Sequence, residues 1–175
     1  TPPVGGGFQF GSLDNYIYDV AFNKEGTLIL ASGGNVMAGR AQVRKYDIAT
    51  GEFLKAMNVH SKLVLSIDVS PDGKTFVSSS AASAGDGVVR VNNIDGTLVK
   101  EYASNLGDVG SVCFSPDGKY ICAGTERQVI LWETATGTKL VTLMGHRGMI
   151  TSVCFAPDGK YIASGSFDKK IILWD

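Results

Sequence analysis

Short apolar stretches alternate with polar turns along the whole chain, and the same pattern returns four times. In each repeat an apolar run ends in a turn that closes on glycine; these segments are Phe22–Gly26, Val69–Gly73, Phe114–Gly118 and Phe155–Gly159. The four glycines are 41 to 47 residues apart. A period of this length is typical of an array in which one supersecondary unit is repeated.

The last repeat indicates which elements one unit contains. Ile150–Phe155 and Tyr161–Ser166 have strand composition and are joined by Pro157-Asp158-Gly159, which suits a hairpin turn. Lys170–Trp174 predicts a third strand, and the preceding Lys139–Met144 predicts a fourth. Because these strands are apolar on both faces, each sheet must pack between neighbours. We predict an all-β chain with essentially no helix.

The composition narrows the possible function classes. Lys and Arg total 16 against 17 Asp and Glu, and no basic run stands out, so we do not expect nucleic-acid binding. No apolar run approaches the roughly 20 residues that span a bilayer, so we do not expect membrane insertion. Nucleophile elbows, phosphate-binding loops and dinucleotide fingerprints are missing. We therefore expect no enzyme activity and no cofactor.

The chain begins with Thr1 rather than Met, which leaves its compartment open. The cytoplasm is slightly favoured, with the periplasm or secretion as alternatives if a signal was removed.

Three cysteines occur without a paired framework. We expect Cys113, Cys122 and Cys154 to be buried as small apolar side chains. Cys113 and Cys122 could face each other across the turn between them, so a disulfide between these two stays an alternative. No Cys-x-x-Cys pair or Cys/His cluster predicts a metal site.

Gly145-His146, Ser164, Asp168 and Trp174-Asp175 in the last repeat resemble the WD-repeat (WD40) β-propeller family. The resemblance covers roughly residues 8–175 and implies blades of four antiparallel strands, here called a to d in chain order. It also implies a hydrogen-bonded tetrad of His, Ser or Thr, Asp and Trp within a blade. The matching positions are His146, Ser164, Asp168 and Trp174, for which we expect a structural role.

The other repeats depart from this pattern. The second keeps a partial tetrad, His60, Ser78 and Asp86, but has no Trp at the fourth position. The third keeps the Trp but has Asn105 and Ala123 at the His and Ser positions, and the first has no tetrad. We expect a structural role for both histidines rather than catalysis or metal binding.

The predicted units comprise about residues 11–58, 59–103, 104–144 and 145–175 of one propeller region over 1–175. The fourth unit ends after strand c, and residues 7–10 could supply its closing strand. Three arrangements remain open. The chain is part of a larger ring with further blades, half of an eight-bladed ring made by a head-to-tail dimer, or a four-bladed ring.

Unequal loops suggest where a partner binds. In the family the b–c and d–a loops share one face, and here the first two units carry long b–c loops at Gly34–Gly39 and Ala81–Gly85. The candidate partner-binding residues on this face are Met37, Arg40, Lys62, Asp108, Arg147 and Met149. We expect a non-catalytic scaffold that binds a protein or peptide partner. The alternative is an accessory propeller of a larger enzyme or electron-transfer assembly whose chemistry lies outside this chain.

Overall fold

The computed structural model describes residues 16–35, 40–83, 87–102 and 107–175, with Arg40 described by its backbone only. This part of the chain forms fifteen β-strands and contains no helix, so the prediction of an all-β fold is confirmed. The strands are β1 Tyr16–Phe22, β2 Leu28–Asn35, β3 Arg40–Asp47, β4 Phe53–Met57, β5 Ser66–Val69, β6 Thr75–Ser79, β7 Val89–Asn93, β8 Leu98–Tyr102, β9 Ser111–Phe114, β10 Tyr120–Gly124, β11 Gln128–Glu133, β12 Lys139–Met144, β13 Ile150–Phe155, β14 Ile162–Ser166 and β15 Ile171–Trp174.

The strands form four antiparallel sheets in chain order. The first three sheets are β1–β4, β5–β8 and β9–β12, and the described strands of the fourth are β13–β15. The predicted closing strand at residues 7–10 lies outside the described residues. Two strands of the fourth sheet start one residue later than predicted, at Ile162 and Ile171.

The repeated glycine turn sets the register of each first hairpin. In the second sheet Gly73 N–H donates to Ser70 O at 2.8 Å, and Gly73 has a left-handed φ of 71° that suits glycine. The Asp72 carboxylate accepts hydrogen bonds from Ser70 Oγ at 2.7 Å and Lys74 N at 3.1 Å. Ser115 and Asp117 repeat this arrangement in the third sheet. The Pro-Asp-Gly sequence therefore closes the turn with its own side chains.

The core lies between the sheets rather than within one of them. Each first strand contacts the first strand of the next sheet, from β1 through β5 and β9 to β13. Leu30 and Phe76 pack between the first two sheets, Val77 and Trp132 between the second and third, and Ile150 between the third and fourth. The two middle sheets are covered on both faces, which explains their continuous apolar runs.

Candidate functional site

One edge of the sheets gathers two sets of loops. Because the strands are antiparallel, each loop that enters a sheet lies beside the loop between its second and third strands. We call this the loop edge; its described residues are 58–65, 107–110 and 145–149 of the d–a loops and 80–83, 87–88, 125–127 and 167–170 of the b–c loops.

Backbone hydrogen bonds connect these loops from one sheet to the next. Val109 N–H donates to Ser80 O at 3.3 Å, which joins the third sheet to the second. At the equivalent place Ile150 N–H donates to Thr125 O at 3.0 Å, which joins the fourth sheet to the third. The d–a loop of one sheet is thus held against the b–c loop of the sheet before it.

Asp108, a predicted binding residue, reinforces one of these junctions. Its Oδ1 atom accepts hydrogen bonds from Ser83 N–H at 3.1 Å and from Ser83 Oγ at 3.0 Å. Asp108 is half-buried by this contact. Its carboxylate therefore connects two neighbouring sheets, a contact that the sequence did not indicate.

The other predicted binding residues differ in accessibility. Lys62 and Arg147 are exposed, whereas Met149 is half-buried. Met149 O accepts a hydrogen bond from Phe167 N–H at 3.0 Å. Met37 and the side chain of Arg40 lie outside the described residues.

Phe167 belongs to the same edge but was not predicted as a binding residue. Its side chain is 73% exposed, although it is a large aromatic residue. The available signal was its position: it is the aromatic residue of a short b–c turn, residues 167–170. The sequence analysis selected candidate residues by loop length, so it did not include Phe167, which lies in a short loop.

The four tetrad residues of the fourth sheet are within hydrogen-bond distance of one another. His146 Nδ1 lies 2.9 Å from Asp168 Oδ2, and His146 Nε2 lies 2.8 Å from Ser164 Oγ. Trp174 Nε1 donates to Ser164 Oγ at 2.8 Å. Because a carboxylate only accepts, neutral His146 carries its proton on Nδ1 and accepts the Ser164 hydroxyl proton at Nε2. The hydrogen bonds thus run in one direction, each donor to the next acceptor, from Trp174 on the third strand to Asp168 at the loop edge.

The carboxyl group of Asp168 has a pKa well below its ordinary value. The hydrogen bond from Arg147 N–H, at 2.8 Å, is the main cause that lowers the pKa of the Asp168 carboxyl to about 2, with a further contribution from His146. The carboxylate also accepts a bond from Lys170 N–H at 3.0 Å. Asp168 is therefore ionised at neutral pH and orders the loops on either side of it.

The second sheet keeps part of this arrangement. His60 Nε2 lies 3.0 Å from Ser78 Oγ, and its Nδ1 lies 3.4 Å from Arg90 Nη1. Asp86 lies outside the described residues. Asn92, at the position of the Trp, donates from its side chain to Gly96 O at 3.0 Å. His60 is thus surrounded by polar groups of its own sheet.

The third sheet packs its Trp differently. Trp132 is fully buried and meets the Tyr102 ring edge-on, with 5.9 Å between ring centroids. Tyr102 OH donates to Thr134 O at 2.8 Å, and burial raises the pKa of Tyr102 to about 12. Aromatic packing takes the place of hydrogen bonds in this sheet.

The opposite edge of the sheets carries a cavity of about 420 Å³. Its lining includes Lys24, Asp72, Phe114 and Asp117 from the glycine turns of three consecutive sheets. Both aspartates already accept bonds from serines of their own turns. Among the described residues no group of three or more His, Cys, Asp or Glu side chains could hold a metal ion.

Comparison with known families adds to this geometry. The family described as "WD domain, G-beta repeat" matches residues 51–93, 96–133 and 137–175. The chain belongs to the WD-repeat family. Each match begins near the outer strand of one sheet and ends at or just after the third strand of the next, so the four sheets are propeller blades.

Several WD-repeat proteins are similar to parts of this chain. A WD repeat-containing protein of Synechocystis sp. is 33% identical over 63% of this chain and 29% of its own length. The human WD repeat and SOCS box-containing protein 1 is 30% identical over 60% of this chain and 24% of its own length. The small ribosomal subunit protein RACK1 of Trypanosoma brucei brucei is 31% identical over 55% of this chain and 29% of its own length. The chain thus matches less than a third of each relative.

WD-repeat propellers typically serve as scaffolds for protein interactions and are generally non-catalytic. The part of the chain that the structure describes contains no helix able to cross a membrane.

Proposed function

We propose that this chain is a non-catalytic scaffold that binds a protein or peptide partner at the loop edge. The supporting observation is the pair of equivalent backbone bonds, Val109 to Ser80 and Ile150 to Thr125, that join the loops of consecutive blades. Loops held in this way form a continuous surface that needs little ordering when a partner binds. Low ordering cost favours affinity.

The exposed side chains of the loop edge suit a particular kind of partner. Lys62, Arg127 and Arg147 are exposed there together with Phe167, and Glu126 is the exposed acidic residue in the third b–c loop. Aromatic and Arg side chains are the types that contribute most to binding energy at protein interfaces. We expect a partner segment that carries acidic groups next to an apolar side chain.

The long b–c loop of the second blade, residues 80–88, is expected to contribute to binding, although residues 84–86 lie outside the described residues. The first b–c loop is shorter than the predicted Gly34–Gly39, because Gly34 and Asn35 belong to β2. Removing Ala81–Gly85 leaves four residues between β6 and β7, as in the fourth turn, and should leave the blades folded, because the segment is a connection between strands. Circular dichroism and thermal unfolding first test whether the shortened chain is folded.

A quantitative pull-down from the source extract then compares the intact and shortened chains. We expect the shortened chain to lose the partners that the intact chain recovers. The control shortens no loop and replaces Lys119 and Lys160, both exposed at the opposite edge, with Glu. Recovery of the same partners in equal yield by intact and shortened chains would place the binding site elsewhere.

A further inference from the structure

Cys113 and Cys122 lie directly opposite each other in the third blade. They are Cα partners on the antiparallel strands β9 and β10, and both are free thiols. Opposite residues of antiparallel strands have Cα atoms roughly 4.5–5.5 Å apart and side chains on the same face of the sheet. A disulfide requires Cα atoms about 4.4–6.8 Å apart. The register of this hairpin therefore suits a bond between the two sulfur atoms.

The two sulfur atoms are already in contact. Cys113 Sγ lies 3.1 Å from Cys122 Sγ. The turn between the strands holds this register, because Ser115 N–H donates to Tyr120 O at 2.8 Å and Tyr120 N–H donates to Ser115 Oγ at 2.9 Å. An S–S bond of about 2.0 Å then needs only a small rotation of the two side chains.

The surroundings of the pair determine which thiol an oxidant reaches. Cys122 is 0% exposed and packs with Val129 and Ile150, whereas Cys113 is half-buried against the same apolar cluster. The contact with Cys113, followed by burial, raises the pKa of Cys122 well above its usual range, so Cys122 is a neutral thiol at neutral pH. A small oxidant in solution therefore reaches Cys113 first.

From this geometry we infer that Cys113 and Cys122 form a reversible redox site that a small hydroperoxide oxidises to a disulfide. The Cys113 sulfur, after losing its proton to water, attacks one oxygen of hydrogen peroxide. The O–O bond breaks, the departing hydroxide takes up a proton, and Cys113 becomes a sulfenic acid.

A second step closes the disulfide. The Cys122 sulfur attacks the Cys113 sulfur, the S–O bond breaks, and the hydroxide leaves as water with the proton of Cys122. Two thiols and one molecule of hydrogen peroxide thus give one disulfide and two molecules of water. A small dithiol returns the pair to its reduced form by thiol–disulfide exchange.

A disulfide at this place restrains one part of the loop edge. Gly110 N–H donates to Gly124 O at 2.9 Å, at the loop-edge end of the same hairpin. The neighbouring Val109 and Thr125 make the backbone bonds to the second and fourth blades. Because the cross-link opposes separation of β9 from β10, oxidation should slow hydrogen exchange of Gly110 N–H several-fold.

Cys154 provides a matched position in the fourth blade. It lies opposite Ala163 on β14, whereas Cys113 lies opposite Cys122. An oxidised Cys154 has no second thiol across its own hairpin. Its sulfenic acid should therefore persist long enough to be trapped by dimedone, whereas Cys122 consumes the sulfenic acid of Cys113.

Peptide mass spectrometry after peroxide treatment tests the pairing. The folded chain reacts with hydrogen peroxide, the remaining thiols are blocked, and trypsin cleaves after Lys119, between the two cysteines. We expect the peptides that contain Cys113 and Cys122 to be joined, and dithiothreitol to separate them. The urea-unfolded chain is the control, in which pairs that include Cys154 should appear as well.

Dimedone identifies the order of the two steps. In Cys122→Ala the dimedone adduct on Cys113 should rise about tenfold over the intact chain, because no thiol held in contact competes for the sulfenic acid. The adduct on Cys154 should be the same in both chains. Circular dichroism checks that the variant is folded, and the pairing in the intact chain does not depend on it.

Four outcomes overturn the inference. They are oxidation of the folded chain without joined peptides, the same mixture of pairs in the folded and unfolded chains, an unchanged Cys113 adduct in folded Cys122→Ala, and unchanged exchange of Gly110 N–H in the disulfide form. None of these measurements involves a partner, so their result is independent of partner binding at the loop edge.

Discussion

The indole N–H of Trp174 donates a 2.8 Å hydrogen bond to the hydroxyl oxygen of Ser164, one strand away in the fourth blade. The same hydroxyl lies 2.8 Å from Nε2 of His146, which is buried at the start of the blade. Ser164 therefore connects the d–a loop to the last described strand. Such a set is costly to break because its members are shielded from water.

Replacement of His146 tests how much this set stabilises the blade. His146→Ala should lower the free energy of unfolding by about 1–3 kcal/mol, because the buried Ser164 hydroxyl loses a partner. Urea unfolding followed by Trp fluorescence measures the change. Asn105→Ala, at the same repeat position of a blade without the tetrad, should cost less. Equal losses at both sites would argue against a stabilising network.

The acidity of Asp168 predicts a pH dependence. Its folded pKa of about 2 lies below the ordinary value of 3.8. A depressed carboxyl pKa stabilises the folded state above the unfolded pKa, and this contribution is lost as the pH falls from about 4 to about 2. Unfolding free energies of the intact chain and Asp168→Asn should therefore differ at neutral pH and converge in this window. A constant difference down to pH 2 would contradict the assignment.

Gly124 and Gly165 occupy the same repeat position in the third and fourth blades, but only Gly165 has room for a methyl group. A Cβ atom on Gly124 would clash with Cγ2 of Ile150 and lie 3.0 Å from Cγ1 of Val153, whereas one on Gly165 would meet nothing within 4 Å. Gly124→Ala should therefore destabilise the fold by about 1–3 kcal/mol through overpacking. Gly165→Ala should leave unfolding nearly unchanged, because its methyl group meets no neighbouring atom. A larger loss for Gly165→Ala would refute this account of blade packing.

The three thiols should react at different rates. Cys113 and Cys122 are opposite each other on β9 and β10, with 3.1 Å between their sulfur atoms, and both are free thiols. The contact with Cys113, followed by burial, raises the pKa of Cys122 well above its usual range. A short iodoacetamide pulse on the folded chain, followed by peptide mass spectrometry, should label exposed Cys154 first and Cys122 only after unfolding. Equal labelling of Cys122 and Cys154 would contradict the prediction.

Much of the fold could be predicted because its signals are local. A turn such as Ser70–Gly73 closes on its own side chains, so its sequence alone predicts the hairpin. Both faces of a middle blade are apolar, which predicts stacking without a structure. The opposition of Cys113 and Cys122 follows from the turn between them.

The loop edge was less predictable because its contacts are between backbone atoms or between distant residues. The bond from Ile150 N–H to Thr125 O involves no side chain and leaves no mark in the sequence. Asp108 and Ser83 are 25 residues apart, and neither belongs to a motif. The sequence does not show that Phe167 is exposed, because an aromatic residue at that position could equally be buried. The partner-binding role of this edge stays a prediction.

One comparison tests partner binding at the loop edge most directly. The double variant Lys62→Glu, Arg147→Glu reverses two exposed charges of the loop edge, and Lys119→Glu, Lys160→Glu reverses two at the opposite edge. Quantitative pull-downs from the source extract measure which proteins each form recovers. Recovery by the loop-edge variant should fall about tenfold, equivalent to about 1.4 kcal/mol, while the opposite-edge variant matches the intact chain. Loss of the partners by the opposite-edge variant alone, or by neither variant, would contradict the proposed site.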